Sequence, residues 1–93
     1  LQFTVIFKRG ASLDMQDAFE YYKNIDSALA NSFVNEIEKT ITGIQSNPQA
    51  FQKRYGKVRI VFTKRFPYGV HYTTHEQTIF IHAVFHTSRK PKE

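Results

Sequence analysis

Four histidines, a basic stretch interleaved with aromatics and a set of helix-borne carboxylates are the side chains of this 93-residue chain that could do chemistry. His82 and His86 fall four residues apart on the same face of a predicted strand, about 13 Å from each other at the strand rise. One zinc ion, with ligands at about 2 Å, cannot reach both. His71 falls beside His82 across a predicted hairpin. That makes two ligands at most, where zinc usually takes three or four protein ligands. The reading therefore includes no metal and no cofactor. As a proton carrier His86 is the best placed of the four, since it ends a strand beside a basic tail where neighbouring cations favour the neutral ring. The competing reading is a hydrogen-bonded structural histidine, because spacing alone shows no partner for it. The chain has no Gly-rich phosphate loop and no meaningful Ser-His-Asp spacing. The acidic residues lie mostly in predicted helices, as solvated faces and caps, which argues against a paired-carboxylate hydrolase. Cysteine is absent. That excludes a disulfide scaffold, Cys-ligated zinc and thiol catalysis, and it fits a reducing, cytoplasmic setting.

The basic stretch runs Lys53-Arg54-Tyr55-Gly56-Lys57, Arg59, then Lys64-Arg65-Phe66-Pro67-Tyr68. Lys and Arg bind phosphates, and exposed aromatics stack on unpaired bases. A ribonuclease needs little more: a positive site for the charge that develops on the scissile phosphate, and one proton carrier. Phe66-Pro67-Tyr68 reads instead as core, since aromatics beside a strand are usually buried. The formal charge is +5, unevenly divided. Residues 1–48 hold four Lys or Arg against six Asp or Glu, and residues 49–93 hold nine against two, so the halves carry −2 and +7. An anionic partner for the second half follows from that split. Lys53, Arg54, Lys57, Lys64, Arg65 and Lys90 are the residues expected to contact such a target or nucleic acid.

The elements that must position these groups follow from periodicity. Phe3, Val5 and Phe7 alternate with Thr4, Ile6 and Lys8 in a first strand, apolar on both faces and so expected to be central or covered. Ser12 is the expected cap of a first helix, whose stripe is Met15, Ala18, Phe19 and Tyr22. Asp26 or Ser27 caps a second helix with the stripe Ala30, Phe33 or Val34, Ile37, Ile41 and Ile44. Glu36 and Lys39 fall on its wet side, and Pro48 ends it by Asn47. Pro48 to Gly56 reads as a polar loop. Strands follow at Val58–Thr63, Tyr68–Thr73 and Ile79–His86, the last with Ile79, Ile81, Ala83 and Phe85 on one face. The expected class is α+β, order β-α-α-β-β-β, with a helical hairpin on one face of a mainly antiparallel four-stranded sheet. Residues 1–93 read as a single domain. No apolar run approaches the roughly 18 residues of a membrane span. The start shows no signal-peptide pattern, and the absence of an initial Met points to a trimmed N-terminus.

Several local features together resemble the RelE/ParE superfamily of toxins from bacterial type II toxin–antitoxin systems, on its ParE-like, plasmid-stabilisation side. They are Ala18-Phe19-Glu20-Tyr21-Tyr22, Ile41-Thr42-Gly43-Ile44-Gln45-Ser46-Asn47-Pro48, Val58-Arg59, Arg65-Phe66-Pro67-Tyr68-Gly69-Val70-His71-Tyr72, and Ile79-Phe80-Ile81-His82-Ala83-Val84-Phe85-His86 followed by Arg89-Lys90-Pro91. The resemblance spans essentially the whole chain. It implies a small cytoplasmic toxin held inactive by a cognate antitoxin, with the basic second half a landing surface for an acidic antitoxin segment. For the target it implies two alternatives. The ParE branch resembles a DNA gyrase inhibitor with no nuclease chemistry. The RelE branch resembles a metal-independent, ribosome-dependent mRNA endonuclease, in which Arg59, His86 and Arg89 would be catalytic and Lys57 or Lys64 would clamp phosphate. Against the nuclease branch, Gly69 stands where that branch often has Arg, and no Tyr follows Tyr72. Related chains of the subgroup often carry a fuller Arg-rich ending, which Thr87-Ser88 dilutes here. A degenerate, non-toxic member is the third reading.

Overall fold

Tyr68, Val70 and Tyr72 alternate with Gly69, His71 and Thr73, and this period of two sends three large side chains to one side of a strand. All three are buried, because two helices lie on that side. A computed structural model describes residues 3–88 of the chain. Its elements are β1 (Thr4–Phe7), α1 (Arg9–Ile25), α2 (Ser27–Ser46), β2 (Lys53–Tyr55), β3 (Val58–Phe62), β4 (Tyr68–His75) and β5 (Thr78–His86). The sheet order is β1-β5-β4-β3-β2. β1 runs parallel to β5, and the other neighbours are antiparallel.

The class is α+β, with two helices against the sheet, but the sheet has five strands rather than four. The extra strand, β2, lies in the segment expected to be a loop. Its three residues are all exposed, so no apolar alternation announces it. It forms because Gly56, at φ 52, turns the chain back and lets Lys53 pair with Arg59 and Tyr55 with Val58. β1 is also not central. It is an edge strand, with Ile6 and Phe7 exposed. Its two-sided apolar pattern reflects a core face, Phe3 and Val5, and a second face that the helices leave open.

α1 starts at Arg9 with Lys8 as an N-cap that makes no side-chain bond, so Ser12 is not the cap. Lys8 N–H still donates to Ile81 O (2.9 Å), and the chain passes from sheet to helix without a loop. Asp26 does cap α2, its Oδ1 accepting from Ala28 N–H at 3.1 Å. Since α1 ends at Ile25, one residue joins the helices, which forces an antiparallel hairpin. Their stripes meet the sheet through aromatic rings. Tyr22 lies edge-on to Phe66 (5.2 Å between centroids) and to Tyr68 (6.4 Å). Phe33 packs on the same two rings at 5.6 and 5.0 Å. Such pairs each add about 0.5–1.5 kcal/mol beyond their burial. Phe66 and Tyr68 are therefore core, as expected.

β5 departs from strict alternation. Tyr72 pairs with Ile81 but His71 pairs with Ala83, so His82 is an extra, bulged residue. The bulge exchanges the two faces beyond it. Ile79, Ile81 and Val84 are buried, whereas Phe85, expected on the same face as Ile79, is exposed. It also separates the histidines expected on one face. His82 Nε2 lies 2.7 Å from Thr73 Oγ1 on the open side, while His86 stacks on Tyr68 on the helix side (5.1 Å, edge-on). Asp14 of α1 secures this irregular point, its Oδ2 accepting the Val84 N–H at 3.0 Å. Asp14→Ala is expected to cost about 1–2 kcal/mol in urea unfolding, the usual loss for a part-buried donor left without its acceptor. Amide exchange at Val84 should accelerate selectively. An unchanged Val84 exchange rate would disprove the assignment.

Candidate functional site

The five strands together contain no Asp and no Glu. Their helix-free face is instead apolar and aromatic. Four side chains on it remain well exposed: Tyr55 at 55%, Phe62 at 51%, Ile6 at 42% and Phe85 at 39%. Among the described residues no element covers them. Near the start of β4 is Gly69, paired with Phe62 on one side and Phe85 on the other. A β-carbon at Gly69 would lie 3.1 Å from Ile60 Cγ2 and 3.3 Å from Phe62 Cε1. The Phe62 ring thus leans into the space that the missing side chain leaves, an aromatic cover over a strand glycine. An Arg here, as in the nuclease pattern, would have to displace that ring.

Cations and polar pairs frame this surface. The Arg54 guanidinium lies over Phe62, 5.4 Å from the ring centroid, and the Lys8 ammonium over Phe80 at 5.7 Å. Tyr55 Oη and His71 Nδ1 are 3.1 Å apart, and the His71 ring sits 6.0 Å from those of both Tyr55 and Phe85. Burial lowers the His71 pKa below its ordinary 6.5, with His82 acting the same way and Asp14 opposing. The ring is therefore neutral at pH 7.

The expected site residues do not gather at one point. Arg59 is on the helix side of β3, where it donates to Phe51 O and to Gln49 Oε1, both at 2.6 Å. Its cross-strand neighbour Tyr72 donates to Pro48 O at 2.7 Å. Together they hold the turn that follows α2. Burial pushes the Tyr72 phenol above its ordinary 10.0, against the opposing charge of Arg59, so it stays a donor. His86 pairs with Tyr68 and Arg59 with Tyr72. Two strand spacings and four residues of rise then put their Cα atoms roughly 17 Å apart. Lys53, Arg54 and Lys57 cluster at the β2–β3 hairpin. Lys64 and Arg65 lie at the opposite end of β3, again roughly 17 Å away, in the connector next to His86. His86 Nδ1 accepts from Ser88 N–H at 3.1 Å. Arg89 and Lys90 lie outside the described residues. No three His, Cys, Asp or Glu side chains converge as metal ligands among the described residues.

Glu36, expected on the wet side of α2, is only 9% exposed. Its Oε2 accepts the backbone N–H groups of Lys64 (2.8 Å) and Arg65 (3.1 Å), which pins the connector carrying these two cations. Burial works to raise its pKa, but the two N–H donors, with the charges of Arg65 and Lys39, outweigh burial and lower it below the ordinary 4.5. A lowered carboxylate pKa stabilises the fold above the unfolded value, and that contribution disappears as pH falls through the folded one. Glu36→Gln is therefore expected to cost about 1–2 kcal/mol at pH 7. The gap to wild type in urea unfolding should narrow between about pH 5 and 3. A gap independent of pH would contradict the charged role.

The sequence reading missed the open face itself. The apolar residues on both sides of β3 were the available sign, with Ile60 and Phe62 on one face and Val61 on the other. Phe85 carried no such sign, because the bulge reverses its face. No helix among the described residues is long and apolar enough to cross a membrane. Residues 5–91 match the family model for the ParE toxin of the type II toxin–antitoxin system parDE. Among solved structures the chain is similar to one described as the chromosomal ParDE TA system from P. aeruginosa. That match has a TM-score of 0.79 at 18% identity, covering 92% of this chain and 97% of that one. Comparison with curated proteins found no match. With the family model covering nearly every position, the chain belongs to the ParE toxin family of type II toxin–antitoxin systems.

Proposed function

We propose that this chain is a cytoplasmic toxin, neutralised by a cognate antitoxin, that blocks growth by binding DNA gyrase rather than by cutting RNA. Membership in the ParE family supports the toxin role, and the similar ParDE structure supports an antitoxin partner. The observation that carries the choice of target is the placement of Arg59. Its guanidinium is spent on Phe51 O and Gln49 Oε1, roughly 17 Å along the sheet from His86. A ribonuclease needs a phosphate-stabilising cation and a proton carrier at one phosphate. A binding inhibitor needs only surface, and the whole 1–93 chain read as one toxin domain supplies it. Lys53, Arg54, Lys57, Lys64 and Arg65 are its basic contacts.

Expression of the chain alone should arrest growth, and co-expression of the adjacent gene should restore it. The purified chain should inhibit supercoiling by gyrase and leave mRNA on programmed ribosomes intact. Cleaved mRNA with uninhibited gyrase would reverse the target. Unharmed cells would mark a non-toxic member of the family.

A further inference from the structure

Tyr55 and Tyr21 are equally exposed, at 55% and 56%, but their surroundings differ. Tyr21 stands on α1 with its ring edge-on to Tyr22 at 5.2 Å. Tyr55 stands on β2, reaches across β3 and places its Oη 3.1 Å from Nδ1 of His71 on β4. In the tautomer with its proton on Nε2, His71 accepts the Tyr55 O–H. A hydroxyl facing a histidine nitrogen at about 2.6–3.2 Å is the arrangement of a nucleophile with its general base. The base is available at pH 7. Burial, with His82 of β5 acting the same way, lowers its pKa against the opposing charge of Asp14 from α1. β3 sets the uncharged Ile60 beside it, and the Phe85 ring of β5 lies edge-on at 6.0 Å. A cation is also close. The Arg54 guanidinium lies over Phe62, whose partner Gly69 is two residues, roughly 7 Å, along β4 from His71. The strands contain no carboxylate to compete for it.

We propose that Tyr55 is a modification site: an activated nucleophile that takes a phosphoryl group from a small acyl phosphate, with His71 as its general base and Arg54 as the contact for the donor's phosphate oxygens. Tyr55 Oη attacks phosphorus while its proton passes to His71 Nδ1. The bond from phosphorus to the acyl oxygen breaks, and the carboxylate leaves with the electron pair. His71 then gives the proton to water. Charge decides the class of donor. A neutral ester gains nothing from Arg54, whereas phosphate oxygens pair with a guanidinium through charge-assisted hydrogen bonds. The product changes the surface without changing the fold. A phosphotyrosine carries a charge of about −1.5 to −2 at pH 7. Lys53, Arg54 and Lys57 give the β2–β3 hairpin three positive charges, so modification cancels at least half of them. The site is thus a charge switch on the basic edge of the sheet, whichever target the chain blocks.

The test treats the full chain with acetyl phosphate and reads the modified peptides by mass spectrometry, which tells a phosphoryl from an acetyl group on the same tyrosine. Tyr55 should be phosphorylated about 100-fold faster than Tyr21 in the same molecule, within the usual range for general-base assistance. His71→Gln should bring the Tyr55 rate down to that of Tyr21, with circular dichroism and thermal melting checking the fold. Arg54→Gln should slow phosphorylation by about tenfold, the usual effect of losing a hydrogen bond to a charged group. It should leave acetylation of Tyr55 by the uncharged reagent N-acetylimidazole unchanged. The wild-type chain supplies a readout that needs no variant. Its Tyr55 rate should be level above about pH 7 and fall below it as His71 gains a proton. An unassisted phenol instead gains reactivity steadily up to about pH 10. Tyr55 no faster than Tyr21, a rate that climbs through that range, or acetyl transfer in place of phosphoryl transfer each overturns the inference, and none of them touches the toxin reading above.

Discussion

The bond from the Val84 N–H to Asp14 ties the two layers just beyond the bulge in β5. A bulged strand leaves backbone groups outside the ladder, and a buried N–H without an acceptor is costly. Asp14 projects from α1 to meet that need. β5 is also the strand that joins the two parts of the sheet, parallel to β1 and antiparallel to β4. The bulge therefore sets which β5 side chains enter the core and which remain outside. Val84 goes in, and Phe85 goes out beside Gly69.

That division produces two faces of opposite character. The helix side is filled by Tyr22, Phe33, Phe66 and Tyr68, whose rings hold the hairpin against the sheet. The open side keeps its aromatics near solvent, with cations above them. The two edges of the sheet also differ. β2 is short, irregular and basic, features that discourage strand addition. β1 carries Ile6 and Phe7 but spans only four residues, and Gln45 Nε2 occupies the carbonyl of Phe3 beside it.

Several residues with apparent chemical potential serve the architecture. Arg59 and Tyr72 close the turn after α2, and Glu36 fixes the connector that carries Lys64 and Arg65. In each case a charged or polar side chain satisfies backbone groups where regular structure ends. These placements were not legible in the sequence. A carboxylate at the polar edge of a helical stripe has the same local pattern whether it faces water or an N–H twenty-eight residues further along the chain. The apolar stripes were legible because burial selects side chains at the helical period, whatever they pack against.

The chain's own pattern determined the α+β class, the helical hairpin, the meander and the division of charge between an acidic helical half and a basic sheet half. It also carried the resemblance to the ParE family, because that rests on local segments in a fixed order. Only the tertiary structure decided the fifth strand, the edge position of β1, the face of Phe85 and the separation of Arg59 from His86. Pairing, register and the bulge are set between strands distant in sequence, and a shift of one residue exchanges the two faces without altering any local pattern.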